Sequence, residues 1–181
     1  MAGPLIIPWK GVSPRIAADA FIAPNAVIIG DVEIGPQASI WFNCVLRGDV
    51  NSIRVGARTN IQDGTIVHCE GERPGGHKGY ATVIGANVLI GHMVMIHGAV
   101  LEDEAFIGMS ASVLNGAVVE TGGMLGAGAL LSSEKRVPRG QLWVGRPARF
   151  MRQLDEKDYV SMRGGVELYV NRAQEYRKQL G

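Results

Sequence analysis

The chain has 181 residues, 46% hydrophobic and 19% charged, with a formal net charge of +1. That is the composition of a folded domain, and the near-neutral charge argues against a general nucleic-acid or membrane-surface binder. It contains no run of eighteen apolar residues, so no transmembrane helix is expected. The opening "MAGPLIIPWKG" has no basic stretch followed by a long apolar one, so no signal peptide is expected either. Two cysteines, Cys44 and Cys69, make no disulfide framework, and a reducing, cytoplasmic setting follows as the expectation.

In chain order, residues 1–20, with "IIPWKG" and Pro14, are expected to cap whatever follows against edge-to-edge aggregation. From residue 21 a six-residue ladder begins. Ile22, Ile28, Ile34, Ile40 and Leu46 are followed by Val55, Ile61 and Val67, then Ile84, Ile90 and Ile96, then Leu101, Ile107, Val113, Val119, Leu125 and Leu131. At this apolar composition seventeen apolar positions of this kind arise by chance about two times in a million, before a discount for the three register breaks at 46–55, 67–84 and 96–101. Four residues after most rungs stands a small or β-branched residue, among them Ala26, Ala38, Cys44, Thr59, Thr65 and Ala111. A period of six is neither helical nor that of a two-sided strand. It suits short strands joined by tight turns, with Gly, Asn and Asp taking the left-handed bends. Such hexapeptides resemble those of the left-handed parallel β-helix, a triangular prism with three rungs per coil, and the handedness is implied by that resemblance alone.

Rung phase then places the histidines. The segment 69–80, "CEGERPGGHKGY", is rich in Gly, Pro and charge and reads as an exposed loop between consecutive rungs. Val67, Ile84, Ile90 and Ile96 then occupy faces one, two, three and one again. His68 and His97 would stack on adjacent coils about 4.8 Å apart. His92 falls on the third face, and a metal bound to imidazole nitrogens at about 2.0–2.1 Å does not easily bridge a prism edge. The simplest arrangement is His92 meeting His68 and His97 of a neighbouring subunit in a cyclic oligomer. After Leu131 the ladder is expected to stop, making 21–150 a β-helix domain. Within 151–181 an amphipathic helix carrying Val166, Tyr169, Val170, Ala173 and Tyr176 is expected after a break at Gly164–Gly165.

The motifs "LRGD" (46–49), "TNIQDGTIVH" (59–68), "IGANVLIGHMVMIHG" (84–98), "FIGM" (106–109) and "YVN" (169–171) resemble, in order, those of the γ-class carbonic anhydrases. The resemblance implies a homotrimer with His68, His92 and His97 as ligands of a zinc ion, iron and cobalt being alternatives. Such a site keeps an open position and lowers the pKa of bound water to about 7, so that metal-bound hydroxide attacks carbon dioxide to give bicarbonate. It further implies that Arg47 and Asp49 form an ion pair between subunits. Asn60, Gln62 and Asp63 would lie beside the metal and substrate, and Tyr169 and Asn171 would reach the pocket from the C-terminal helix. Residues 60, 62 and 63 also suit a ladder of turn residues at a β-helix corner, and Arg47 and Asp49 a plain assembly contact. Val50 stands where a well-known family type has glutamate, so the proton relay falls to Glu70 and Glu72. His77 beside Lys78 reads as solvated, Cys69 as turned from the metal and Cys44 as core. Two other functions fit the repeat: an acyl-CoA-dependent acyltransferase with one histidine as general base, and a trimeric scaffold whose metal is structural.

Overall fold

A computed structural model describes residues 3–180. The first two residues of the expected cap and Gly181 at the end of the helical segment lie outside the described residues. The ladder is the core. From Ile28 to Leu131 its residues are at most 4% exposed. Only Ile22, whose strand ends its sheet, is partly exposed.

The rungs stack in three files of parallel strands. One file runs Ile28, Leu46, Val67, Ile96, Val113, Leu131. The second runs Ile34, Val55, Ile84, Leu101, Val119, and the third Ile22, Ile40, Ile61, Ile90, Ile107, Leu125. The phase expected across the loop therefore holds, with Val67 on Ile96 and Val55 on Ile84. Two long strands, Val27–Ile34 and Val45–Val55, run around one prism edge and join the first two faces into a single sheet. The small residues between the large rungs fill the corners. Thr59 and Thr65 satisfy their buried hydroxyls by donating to Gly85 O and Gly91 O.

The corners are less selective than expected. Left-handed backbone occurs at Gln37, Arg58, Met93, Glu104, Ser110 and Glu134 as well as at Asn43, Asn87 and several glycines. The side chains of such corner residues are largely in solvent, and their N–H groups bond the coil before: Met93 N to Asp63 O and Ser110 N to His92 O, each 2.9 Å. That bond offsets the roughly 1–3 kcal/mol such a conformation costs.

Two expectations for the C-terminal third are corrected. The ladder does not stop at Leu131: Val137 stacks on Val119, and Trp143 on Leu125. An indole fills the final rung in place of an aliphatic group. The strand Arg149–Gln153 then returns antiparallel along Gln141–Val144. Nor do the glycines break the helix, which runs unbroken from Glu156 to Leu180. Asp155 caps it by accepting from Lys157 N and Asp158 N, and Asp158 reciprocates at Asp155 N. A Cβ on Gly165 would penetrate Leu89, whereas one on Gly164 would meet nothing within 4 Å. Gly165 thus brings the helix close to the third face, where Met162, Val166, Val170 and Ala173 are buried. Among the described residues no helix is long and apolar enough to cross a membrane.

Candidate metal centre

His68 ends the strand Ile66–His68 and His97 ends Met95–His97, and the two strands pair in register. Both side chains emerge at the same prism edge. His68 Nδ1 lies 3.1 Å from His97 Nε2. A tetrahedral metal with nitrogens at 2.0–2.1 Å holds adjacent donors about 3.3 Å apart, so the two imidazoles sit at the spacing of ligands. On the far side of His97, Nδ1 donates to Asn115 Oδ1 at 2.6 Å. On the far side of His68, Nε2 lies 2.9 Å from Asp49 Oδ1, and Asp49 Oδ2 accepts from Arg47 at 2.6 Å. Burial pushes the Asp49 carboxyl up, but the bonds from His68 and Arg47 outweigh it and hold it below its ordinary value.

His92 is elsewhere. It occupies the turn after Leu89–Ile90, at the opposite end of the first face from His97. Five residues at about 3.3 Å each put the two backbones on the order of 15 Å apart. Among the described residues no group of three or more His, Cys, Asp or Glu side chains is placed to hold a metal. His92 Nδ1 faces the Asp63 carboxylate at 2.9 Å, while its ring is well exposed. A ligand histidine usually has a carboxylate or carbonyl on its second nitrogen, which is the arrangement at both His92 and His97. The donor set therefore fits a metal, divided between two corners of the chain.

The other expected residues sort between these halves. Arg47 and Asp49 pair with each other within the chain, beside His68. Asp63 belongs with His92. Gln62 Nε2 donates to Asn60 Oδ1 at 3.0 Å, and Asn60 Nδ2 is buried with no partner. Tyr169 packs edge-on against Trp41, with ring centroids 5.3 Å apart, and lines a cavity of about 230 Å³ together with Phe42, Asp63 and Arg172. Burial, and secondarily the Asp63 charge, raises the Tyr169 phenol above its ordinary pKa. Asn171 lies on the exposed side of the helix. On the loop, Glu70 pairs with Arg73 and Glu72 is exposed. His77 is exposed and accepts from Gly79 N, as a solvated loop histidine should. Val50 is 53% exposed and packs against Gly71 at the foot of the loop. Cys69 and Cys44 are fully buried, and burial drives the Cys44 thiol up to about 12.

Sequence reasoning missed Asn115 as the partner of His97 and Asp63 as that of His92. Both were open to counting. Asn115 follows His97 by one coil, and Asp63 precedes His92 by the same interval that separates His68 from His97, loop included.

Fold and side chains together define a hexapeptide-repeat β-helix with His68 beside His97 at one corner and His92 beside Asp63 at another. Residues 13–48 match the bacterial transferase hexapeptide family (six repeats). The chain is 49% identical over 162 residues to gamma carbonic anhydrase 2, mitochondrial, of Arabidopsis thaliana, a match covering 90% of this chain and 58% of that protein. It thus spans less than two thirds of that relative. With a carbonic anhydrase of Geobacillus kaustophilus it shares 41% identity over 173 residues, covering 96% of this chain and 91% of that one. A solved hexapeptide transferase family protein from Anaplasma phagocytophilum superposes with a TM-score of 0.88 at 46% identity, covering 95% of this chain and 98% of that one. The chain belongs to the γ-class carbonic anhydrase family.

Proposed function

We propose that the protein is a homotrimeric, metal-dependent carbonic anhydrase that interconverts carbon dioxide and bicarbonate. Each centre would take His68 and His97 from one protomer and His92 from the next. The observation that carries this reading is the division of the donors: two imidazoles at ligand spacing, and a third, backed by a carboxylate, displayed at a corner its own partners cannot reach. The surface between the two corners supports it. Outward-facing Val45, Ile66, Met95, Ser112 and Leu130 line up in register, apolar but for Ser112, Ile66 is 43% exposed, and Met93 beside His92 is 70% exposed. An apolar stripe of this kind is a surface for a partner, and a cyclic trimer would cover it three times over.

A divalent metal bound there supplies acidified water as a nucleophile for carbon dioxide near neutral pH, with zinc the first expectation and iron or cobalt the alternatives. The chain's own groups do the rest. Arg47 holds Asp49 ionised against His68, which fixes that ring. Asp63 orients His92. Gln62 and Asn60 offer amide donors to a polar substrate, the free Asn60 Nδ2 above all, and Tyr169 closes the edge of the pocket against the helix. Asn171, two residues on, would act only where a neighbouring protomer reaches it. Hydration releases a proton at each turnover, and Glu70 and Glu72 on the loop are the acids to receive it, since Val50 has nothing to titrate.

Metal content per trimer, followed by carbon dioxide hydration with zinc and anaerobically with iron or cobalt, tests the reading. One metal per protomer with hydration above background is expected. A metal-free trimer that binds coenzyme A would transfer the chain to the acyltransferase reading, and a metal-loaded trimer without hydration to the scaffold reading.

A further inference from the structure

Outside the residues already assigned, the contact of His97 with Asn115 is the shortest polar contact made by any of the three imidazole rings. It is also built by surroundings with no other evident purpose. Asn115 sits one coil beyond His97, and its main chain is held on both sides. Gly116 N donates to Gly98 O at 2.7 Å, and Glu134 N donates to Asn115 O at 2.9 Å. Its side chain reaches the imidazole only because residue 98 lacks a Cβ, which would come within 2.7 Å of Asn115 Oδ1. The same Cβ would come within 2.7 Å of the Tyr80 side chain. Tyr80 closes the loop from above, donating to Glu134 Oε1 at 3.0 Å, and its ring also covers Gly116. Gly98 and Gly116 thus leave a slot in which Asn115 and Tyr80 both fit beside His97.

A neutral imidazole carries one proton, and the nitrogen that donates leaves the other with its lone pair. The Asn115 oxygen can only accept, so Nδ1 of His97 must hold the proton and Nε2 the lone pair, and Nε2 is the atom turned to His68. Were the proton on Nε2, it would point at the place where the two rings meet. We infer that Asn115 is a positioning residue that fixes the tautomer and ring orientation of His97, with its oxygen turned to the ring and Gly98 making room for it. Its consequence for metal affinity rests on the three-histidine reading; its effect on the tautomer does not. Partners of this kind, when removed, cost about 10–100-fold in metal affinity.

The test compares wild type with Asn115→Ala and Asn115→Asp. The second keeps an acceptor oxygen at the same place. On metal-free protein, imidazole ¹⁵N resonances of His97, assigned by their absence in His97→Gln, should report a protonated Nδ1 in wild type and Asn115→Asp, and a mixture shifted toward protonated Nε2 in Asn115→Ala. Zinc or cobalt titration against a competing chelator should give Asn115→Asp an affinity within a few-fold of wild type and Asn115→Ala a loss of about 10–100-fold. Light scattering and melting temperature establish that each variant assembles. An unchanged tautomer in Asn115→Ala, or equal loss of affinity in both variants, overturns the inference. If wild type itself binds neither metal, the carbonic anhydrase reading fails, and the ¹⁵N spectra alone still decide the role of Asn115.

Discussion

Two adjacent glycines in the C-terminal helix should respond in opposite directions to the same added methyl group. At Gly164 an alanine Cβ meets nothing within 4 Å, so Gly164→Ala should gain the helix propensity that glycine forgoes, about 0.5–1 kcal/mol. At Gly165 the same gain is opposed, because the new Cβ falls inside Leu89, which is 8% exposed and packed with Val166 and Val170. Overpacking a well-filled contact costs about 1–3 kcal/mol. The stability order is therefore Gly164→Ala, wild type, Gly165→Ala. The two variants should differ by that overpacking cost, or about 2–10 °C in melting temperature for a chain of this size. Circular dichroism melts and urea titrations at one protomer concentration measure it, since the proposed assembly would make stability concentration-dependent. Adding Leu89→Ala to each variant closes a double-mutant cycle, and the coupling should appear at position 165 alone. Equal stabilisation by both alanines would mean that Leu89 swings aside freely, and that close helix approach is not what Gly165 provides.

Mixing His92→Ala and His97→Ala subunits after dissociation should restore metal binding that neither variant has alone. The seam where intact His68 and His97 face an intact His92 is complete in every mixed trimer, so absent recovery despite verified exchange would refute the shared site. The Cys44 thiol, fully buried and pushed up to about 12 by its burial, should resist a thiol-specific disulfide reagent at pH 8 until the protein is unfolded; prompt labelling of the native protein would contradict this. Asp158 is held at about 2, first by Arg152 and then by the Asp155 N–H. Because its folded pKa lies below the unfolded one, the stabilisation it gives the helix start is complete above about pH 4 and is lost as the pH falls toward 2. Asp158→Asn should flatten the loss of helical signal across that window, and an unaltered acid limb would show that Asp158 contributes nothing there.

Much of the coil could be read from the chain because each rung demands one buried aliphatic group at a fixed interval, and Ile28 through Leu131 supply it. Counting rungs across 69–80 sufficed to put His68 beside His97 and to send His92 to another corner. The reading failed where a residue's role depends on what lies across space. Trp143 serves as a rung although it is not aliphatic, and Val137 continues the second file although a proline follows it. Gly164–Gly165 resembled a break because the neighbour that makes Gly165 useful, Leu89, is some 76 positions earlier in the chain. Asn115 belongs to none of the motifs, and the motif that holds Asp63 does not say which histidine it faces. Each acquires its role only by standing one coil away from a histidine.

The loop 69–80 leaves the prism after His68 and rejoins it with both neighbouring files still in register, Val67 on Ile96 and Val55 on Ile84. Its exit and return are stitched together by Glu70 and Tyr80. The rungs pair only with the coils before and after them, so the excursion leaves their register unchanged, and it is Tyr80 at its return that ties it further along, to Glu134. The prism therefore behaves as a shelf on which appendages can be lengthened, shortened or recharged in the course of evolution while the imidazoles beneath keep their positions. On the proposed reading, proton export would draw on the side chains of the excursion and metal capture on the shelf, which would make them separately editable traits.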